Sequence, residues 1–195
     1  PDLLSALIQA RDEGDRLDDD ELHATAILLA FAGHASTVQA LGNIVLHLAD
    51  HPEQCDLLRQ QPRLLTSAVE ESLRHQSPLQ LIYRTTTRPC TIGDKTIPAN
   101  ELLFLSLPAA NRDPARFPDP DRFDIPRTDN RHLAFGYGGH FCAGAALARL
   151  ELSLLTTAFL KRFRSWRPDR PLPPRDANML FRGFRALPLS TEPAA

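Results

Sequence analysis

Phe135-Gly136-Tyr137-Gly138-Gly139-His140-Phe141-Cys142-Ala143-Gly144 is the stretch on which the reading of this chain turns. Three glycines within four residues permit a tight turn with positive φ angles. Cys142 leaves that turn at the start of an apolar, helix-periodic run, where free N–H groups and the helix dipole favour thiolate over thiol. Only small residues follow it, Ala143, Gly144, Ala145 and Ala146, so a large flat ligand could lie against this helix start. Phe135 and Phe141 flank the sulfur and are expected to keep water from it, which tunes a bound metal. A lone cysteine after a Gly-rich turn is more often a buried structural residue. The glycine spacing, the aromatics and the abrupt small-residue helix together favour a ligand.

Outward from this loop, the helix is expected over 143–163, with Leu147, Leu150, Leu154 and Ala158 on one stripe. On the N-terminal side, residues 108–131 hold five of the 17 prolines among many Asp and Arg, the pattern of an ordered but irregular meander. Short β-prone runs at 81–87, 90–92, near 97 and at 102–107 predict a small sheet, and a β-prone tail follows Pro-rich 168–174. Helices are expected at 2–11, 53–60 and 63–76. Asp18 and Glu21 form a capping-box pattern ahead of residues 24–49, which contain no Asp, Glu, Lys or Arg. That run, 19–49 with its cap, reads as a helix buried through the centre of a domain. A membrane span is disfavoured because His34, Ser36, Gln39, Asn43 and His47 interrupt it. The fold class is mainly α with a small β-sheet.

The 195 residues are 43% hydrophobic and 24% charged, enough to bury a core. A net charge of −2 gives no push toward nucleic acid or an anionic membrane. Cys55, Cys90 and Cys142 are odd in number with no CxxC pair, which fits a reducing, cytoplasmic compartment better than a disulfide framework. Zinc held by His132, His140 and Cys142 is the weakest metal option, since the spacing matches no common zinc signature.

With these residues in view, the chain resembles a cytochrome P450 of the soluble bacterial type. The loop matches Phe-Gly-x-Gly-x-His-x-Cys-x-Gly without a gap, and four further blocks fall in the family's order over residues 2–189. Glu71-Ser72-Leu73-Arg74 is similar to its Glu-x-x-Arg motif, and Pro120-Asp121-Arg122-Phe123 to its Pro-x-Arg-Phe element. The resemblance implies a buried structural network of Glu71, Arg74 and Arg122. Alone, an i,i+3 Glu–Arg pair is usually a surface contact worth a few tenths of a kcal/mol. Asn111-Arg112-Asp113-Pro114 and Phe117-Pro118-Asp119-Pro120 resemble the family's meander.

The resemblance further implies haem b as cofactor, with Cys142 on the iron. Arg84 and His140, and with less support His132, stand where the family holds the haem propionates; Phe135, Gly136, Ala143 and Gly144 line the same group. Ala32-Gly33-His34-Ala35-Ser36-Thr37 is similar to the central-helix motif Ala-Gly-x-(Asp/Glu)-Thr, which gives Gly33, Ser36 and Thr37 catalytic roles in oxygen and proton handling. Here Ala35 replaces the acid and Ser36 the threonine, which brings ordinary hydroxylation into question and admits coupling, desaturation or a peroxide-driven reaction. The implied function is oxidation of a small organic substrate with O2, in secondary metabolism. Electrons would come from a ferredoxin or flavodoxin partner docked near cations such as Arg149, and substrate contacts from Leu79–Ile82 and Met179–Phe181. The matched blocks belong to the C-terminal half of the family's domain, so residues 1–195 read as the C-terminal part of one such domain, its N-terminal half a possible partner. The alternative is a truncated scaffold or auxiliary protein without oxidase activity.

Overall fold

The computed structural model describes residues 2–12, 17–175 and 178–194. It divides into two compact units, Pro1–Ser36 and Thr37–Ala195.

The first unit contains α1 (Leu3–Asp12) and the beginning of α2 (Asp19–Asp50). The capping box forms as expected: the Asp18 N–H donates to Glu21 Oε2 at 3.0 Å, and the Glu21 N–H to Asp18 Oδ1 at 2.8 Å. In this chain α2 is not buried along its whole length. Ile27, Leu28 and Phe31 are exposed, Ile27 by 70%. A helix apolar all round needs cover on every side. By length and composition alone α2 could also cross a membrane.

In the second unit the rest of α2 is core. Ala40, Ile44 and Leu48 pack with Cys55 and Leu58 of α3 (Pro52–Gln60) and with Ala68, Val69 and Leu73 of α4 (Leu65–His75). Phe123, Ile125, Ala134, Leu152 and Trp166 complete the cluster. The polar residues of this part of α2 are satisfied by protein rather than lipid. Asn43 Nδ2 donates to the Gln76 carbonyl at 3.2 Å, and the Trp166 indole donates to the Val45 carbonyl at 2.9 Å.

His47 joins a directed chain. The carbonyl of Asp121 can only accept, so His75 Nε2 (3.0 Å) carries the proton and His75 Nδ1 accepts from His47 Nε2 at 3.1 Å. His47 Nδ1 then accepts from Ser72 Oγ at 2.9 Å. Phe123 stacks on His47 with centroids 4.8 Å apart. Both imidazoles are therefore neutral. Burial, with cationic neighbours, holds His47 well below the ordinary histidine value and His75 at about 4.

The β-prone runs form three separate two-stranded antiparallel ladders rather than one small sheet. β1 (Leu81–Thr85) pairs with β4 (Leu102–Ser106), β2 (Cys90–Ile92) with β3 (Lys95–Ile97), and β5 (Phe163–Pro168) with β6 (Leu189–Pro193). A one-turn helix, α5 (Leu107–Asn111), opens the meander. Its Asn111 is fully buried, donating to Ser77 Oγ at 2.8 Å and accepting the Leu133 N–H at 2.7 Å. The meander is thereby fastened both to α4 and to the entry of the cysteine loop.

The last helix, α6, runs Ala145–Arg162. It starts two residues later than expected because Ala143 and Gly144 form a turn ahead of it. The stripe of Leu147, Leu150 and Leu154 is exposed, Leu154 by 61%, while the face carrying Ala145, Leu152 and Thr156 is buried. The apolar stripe read from the sequence is thus not the face that α6 turns to this core. Its C-terminal end is closed by Arg59, which donates to the Leu160 and Phe163 carbonyls at 2.8 and 2.7 Å.

Candidate haem-thiolate site

The loop takes the shape that its glycines allow. Gly136 and Gly138 adopt φ of 74° and 78°, values that cost an L side chain strain. Tyr137 between them is extended, and Gly138–His140 form one 3-10 turn. The Cys142 N–H then returns to the Phe135 carbonyl at 2.9 Å, closing the loop on itself. The Cys142 carbonyl accepts the Ala145 N–H at 3.3 Å, and Gly144 is the N-cap of α6. A Cβ on Gly144 would stand 4.0 Å from Cys142 Sγ, so the glycine keeps the space beside the sulfur clear. Cys142 is exposed, as are Tyr137 (82%), Phe141 and Leu147. Of the two phenylalanines expected to shield the sulfur, Phe135 is half-buried and Phe141 is exposed.

Behind the loop lies a charged cluster that the sequence did not assemble. Arg149 of α6 forks onto Glu70 of α4 at 2.7 and 2.8 Å, and its guanidinium covers the Phe135 ring at 4.5 Å. His132 Nδ1 accepts the Ala134 N–H at 3.1 Å, so Nε2 carries the proton and donates to Glu70 at 3.2 Å. Burial works to raise the Glu70 carboxyl, but the hydrogen bonds from Arg149 and His132 outweigh it and hold it at about 2. His132, expected on a propionate, is instead sealed against Glu70 with its side chain 2% exposed. That commitment also removes it from a zinc site with Cys142. Arg149, expected as a free docking cation, is an ion-pair partner.

One residue along α4, Glu71 and Arg74 are both fully buried. All five guanidinium N–H groups of Arg74 are used: two on Glu71 at 2.8 Å, and the others on the carbonyls of Asn111 (3.0 Å), Pro120 (2.8 Å) and Arg122 (3.1 Å). Glu71 accepts further from the Asp124 N–H (2.9 Å) and Asn130 Nδ2 (3.1 Å). Arg127, only 10% exposed, reaches it at 3.2 Å. The expected third member, Arg122, is corrected: its side chain is 64% exposed, and it enters the network through its carbonyl alone. The alternation of the chain around Phe123 and Ile125, both buried, turns the Arg122 side chain out and brings Arg127 in.

Residues 1–189 match the family model for cytochrome P450. The chain belongs to the cytochrome P450 family. It is 47% identical to Cytochrome P450 107B1 of Saccharopolyspora erythraea, over 96% of this chain and 47% of that protein. It is 43% identical to Cytochrome P450 monooxygenase PikC of Streptomyces venezuelae, over 96% of this chain and 46% of that one. Among solved structures, the tirandamycin C-bound P450 monooxygenase TamI superposes with a TM-score of 0.92 at 42% identity, covering 97% of this chain and 48% of TamI. The chain spans about half the length of the curated relatives it matches.

Of the residues that the resemblance places on a haem, Cys142, His140 and Arg84 carry no carboxylate partner among the described residues. The exposed thiol of Cys142 borders on small residues. His140 is exposed, with no side-chain partner among the described residues. Arg84, half-buried in β1 opposite Leu103, donates only to the neighbouring Tyr83 carbonyl at 2.8 Å and has no carboxylate partner among the described residues. The Arg84 guanidinium fits a propionate. Gly33 has open space where a Cβ would stand, and the Ser36 hydroxyl donates back to the Ala32 carbonyl at 2.9 Å. Thr37 follows on α2. Leu79 and Phe181 form an antiparallel bridge, bringing together the two segments expected to meet substrate.

Proposed function

We propose that this chain is the haem-carrying C-terminal part of a soluble, cytoplasmic bacterial P450 monooxygenase that oxidises a small organic substrate of secondary metabolism. The observation that carries this reading is the open cysteine loop: Cys142 exposed, its N–H bonded to the Phe135 carbonyl, beside glycines that leave room for a flat ligand. Bound haem b supplies O2 activation, favoured by electron donation from a thiolate ligand. Cys142 Sγ is the metal ligand. Arg84 and His140 would hold the propionates, and Phe135, Gly136, Ala143 and Gly144 would line the group on the cysteine side. By the family resemblance, Gly33, Ser36 and Thr37 of α2 would serve oxygen and proton handling, through the hydroxyls of Ser36 and Thr37. Ala35 offers no carboxylate there, so water or a substrate group completes the proton path. Glu71, Arg74 and Arg127 keep the scaffold under the cysteine fixed.

A ferredoxin or flavodoxin is the electron donor. Cover for the exposed apolar residues of α2 and α6 comes from the N-terminal half of the domain, whether on this polypeptide or another. The test is spectroscopic. Haem-loaded protein, reduced under carbon monoxide, is expected to give the red-shifted Soret band of a thiolate ligand, absent in Cys142→Ser. No such band in the wild type would leave the scaffold reading, which Ala35 favours.

A further inference from the structure

We propose that Glu70 is the positioning residue of the cysteine loop, one carboxylate that fastens the loop's entry through His132 and its exit through Arg149. The inference rests on the haem-thiolate reading above. Cys142 takes its backbone orientation from the Phe135 carbonyl, so whatever fixes Phe135 fixes the sulfur. Two rings and a cation surround Phe135: the Arg149 guanidinium at 4.5 Å, His132 at 6.1 Å and Phe141 at 6.3 Å. A free arginine side chain samples many rotamers and would define little. The forked pairing with Glu70 removes that freedom. His132 meanwhile holds the Ala134 N–H, one residue before Phe135, and hands its other nitrogen to the same carboxylate.

The neighbouring glutamates of α4 thus divide the work. Glu71 holds the meander; Glu70 holds the loop. Glu70 also sets a charge balance. Its hydrogen bonds raise the always-charged Arg149 guanidinium above its ordinary value against the opposing effect of burial, and the Cys142 sulfur lies within the electrostatic reach of that cation. With the pair intact, the cation beside the sulfur is compensated.

This arrangement has a signature that loosened packing alone does not share. In haem-loaded, full-length protein, Glu70→Gln leaves the Arg149 charge uncompensated beside the thiolate, which favours the reduced state. Arg149→Gln leaves the Glu70 carboxylate uncompensated and favours the oxidised state. The ferric-to-ferrous ratio at fixed ambient potential is expected to shift about threefold in opposite directions, and the E70Q/R149Q double variant is expected to return toward wild type. Shifts of the same sign, or none, in protein that retains the thiolate Soret band overturn the proposal while leaving the haem-thiolate reading intact. Loss of that band in the wild type removes both. Should Glu70→Gln load no haem, hydrogen exchange decides. Faster exchange confined to residues 132–142 supports the clamp, whereas equal loosening of 65–75 overturns it.

Discussion

The Glu71–Arg74 network and the cysteine loop lie at successive levels of one scaffold and are built on opposite terms. In the network every donor of Arg74 is matched and both side chains are fully buried. In the loop Cys142 stands exposed, and backbone hydrogen bonds and two positive-φ glycines keep its place. The difference teaches where each can tolerate change. A saturated buried ion network loses its whole compensation when one partner goes, whereas an open loop loses chemistry without losing the fold.

The largest expected effect is therefore at Arg74. Arg74→Ala leaves Glu71 buried with part of its charge compensation gone and orphans the Asn111 and Pro120 carbonyls, a cost of about 3–5 kcal/mol; chemical denaturation of the variant against wild type measures it. A loss under 1 kcal/mol would mean that water replaces the guanidinium and that the network is not sealed. Next come the two meander arginines, which separate side-chain from backbone roles. Arg127→Ala should cost about 1.5–3 kcal/mol through its hydrogen bonds to Glu71 and the Pro118 carbonyl. Arg122→Ala should stay within about 0.5 kcal/mol, since only its carbonyl is used. The reverse order would restore Arg122 as the network's third side chain.

Acid probes the boundary between the two regions. His47 and His75 are depressed in the folded state, so the unfolded chain binds more protons below the ordinary histidine value near 6.5. Their contribution is present above that value and is lost as pH falls toward about 4. Glu70 is also depressed, from 4.5 to about 2, so its contribution is lost in a lower window, as pH falls through that range. Melting temperature followed against pH should fall in two stages, and His75→Gln should flatten the upper one. Smallest in stability is Cys142→Ser, expected within about 0.5 kcal/mol because the side chain is exposed, although it abolishes the thiolate spectrum.

Much of the candidate site was legible because its information is local. The glycine spacing around Cys142, the Asp18–Glu21 cap and the i,i+3 pair of Glu71 and Arg74 each lie within about one turn of chain, where backbone geometry dictates who can meet whom. The partners that arrive from elsewhere were not legible. Arg127 reaches Glu71 across 56 positions, and Arg149 reaches Glu70 across 79. Nothing in their neighbourhoods marks them among the 20 arginines. The one available signal was the paired acid Glu70-Glu71, which calls for two sets of cations.

By itself, then, the sequence determined the loop's shape, the helical framework and the family, because turn glycines, caps and hydrophobic period act over a few residues. Tertiary structure alone decided which face of α6 is covered, that His132 serves a carboxylate, and which arginine completes the buried network. Those outcomes depend on which distant segments pack together, and burial, not spacing, selects among side chains of equal chemistry.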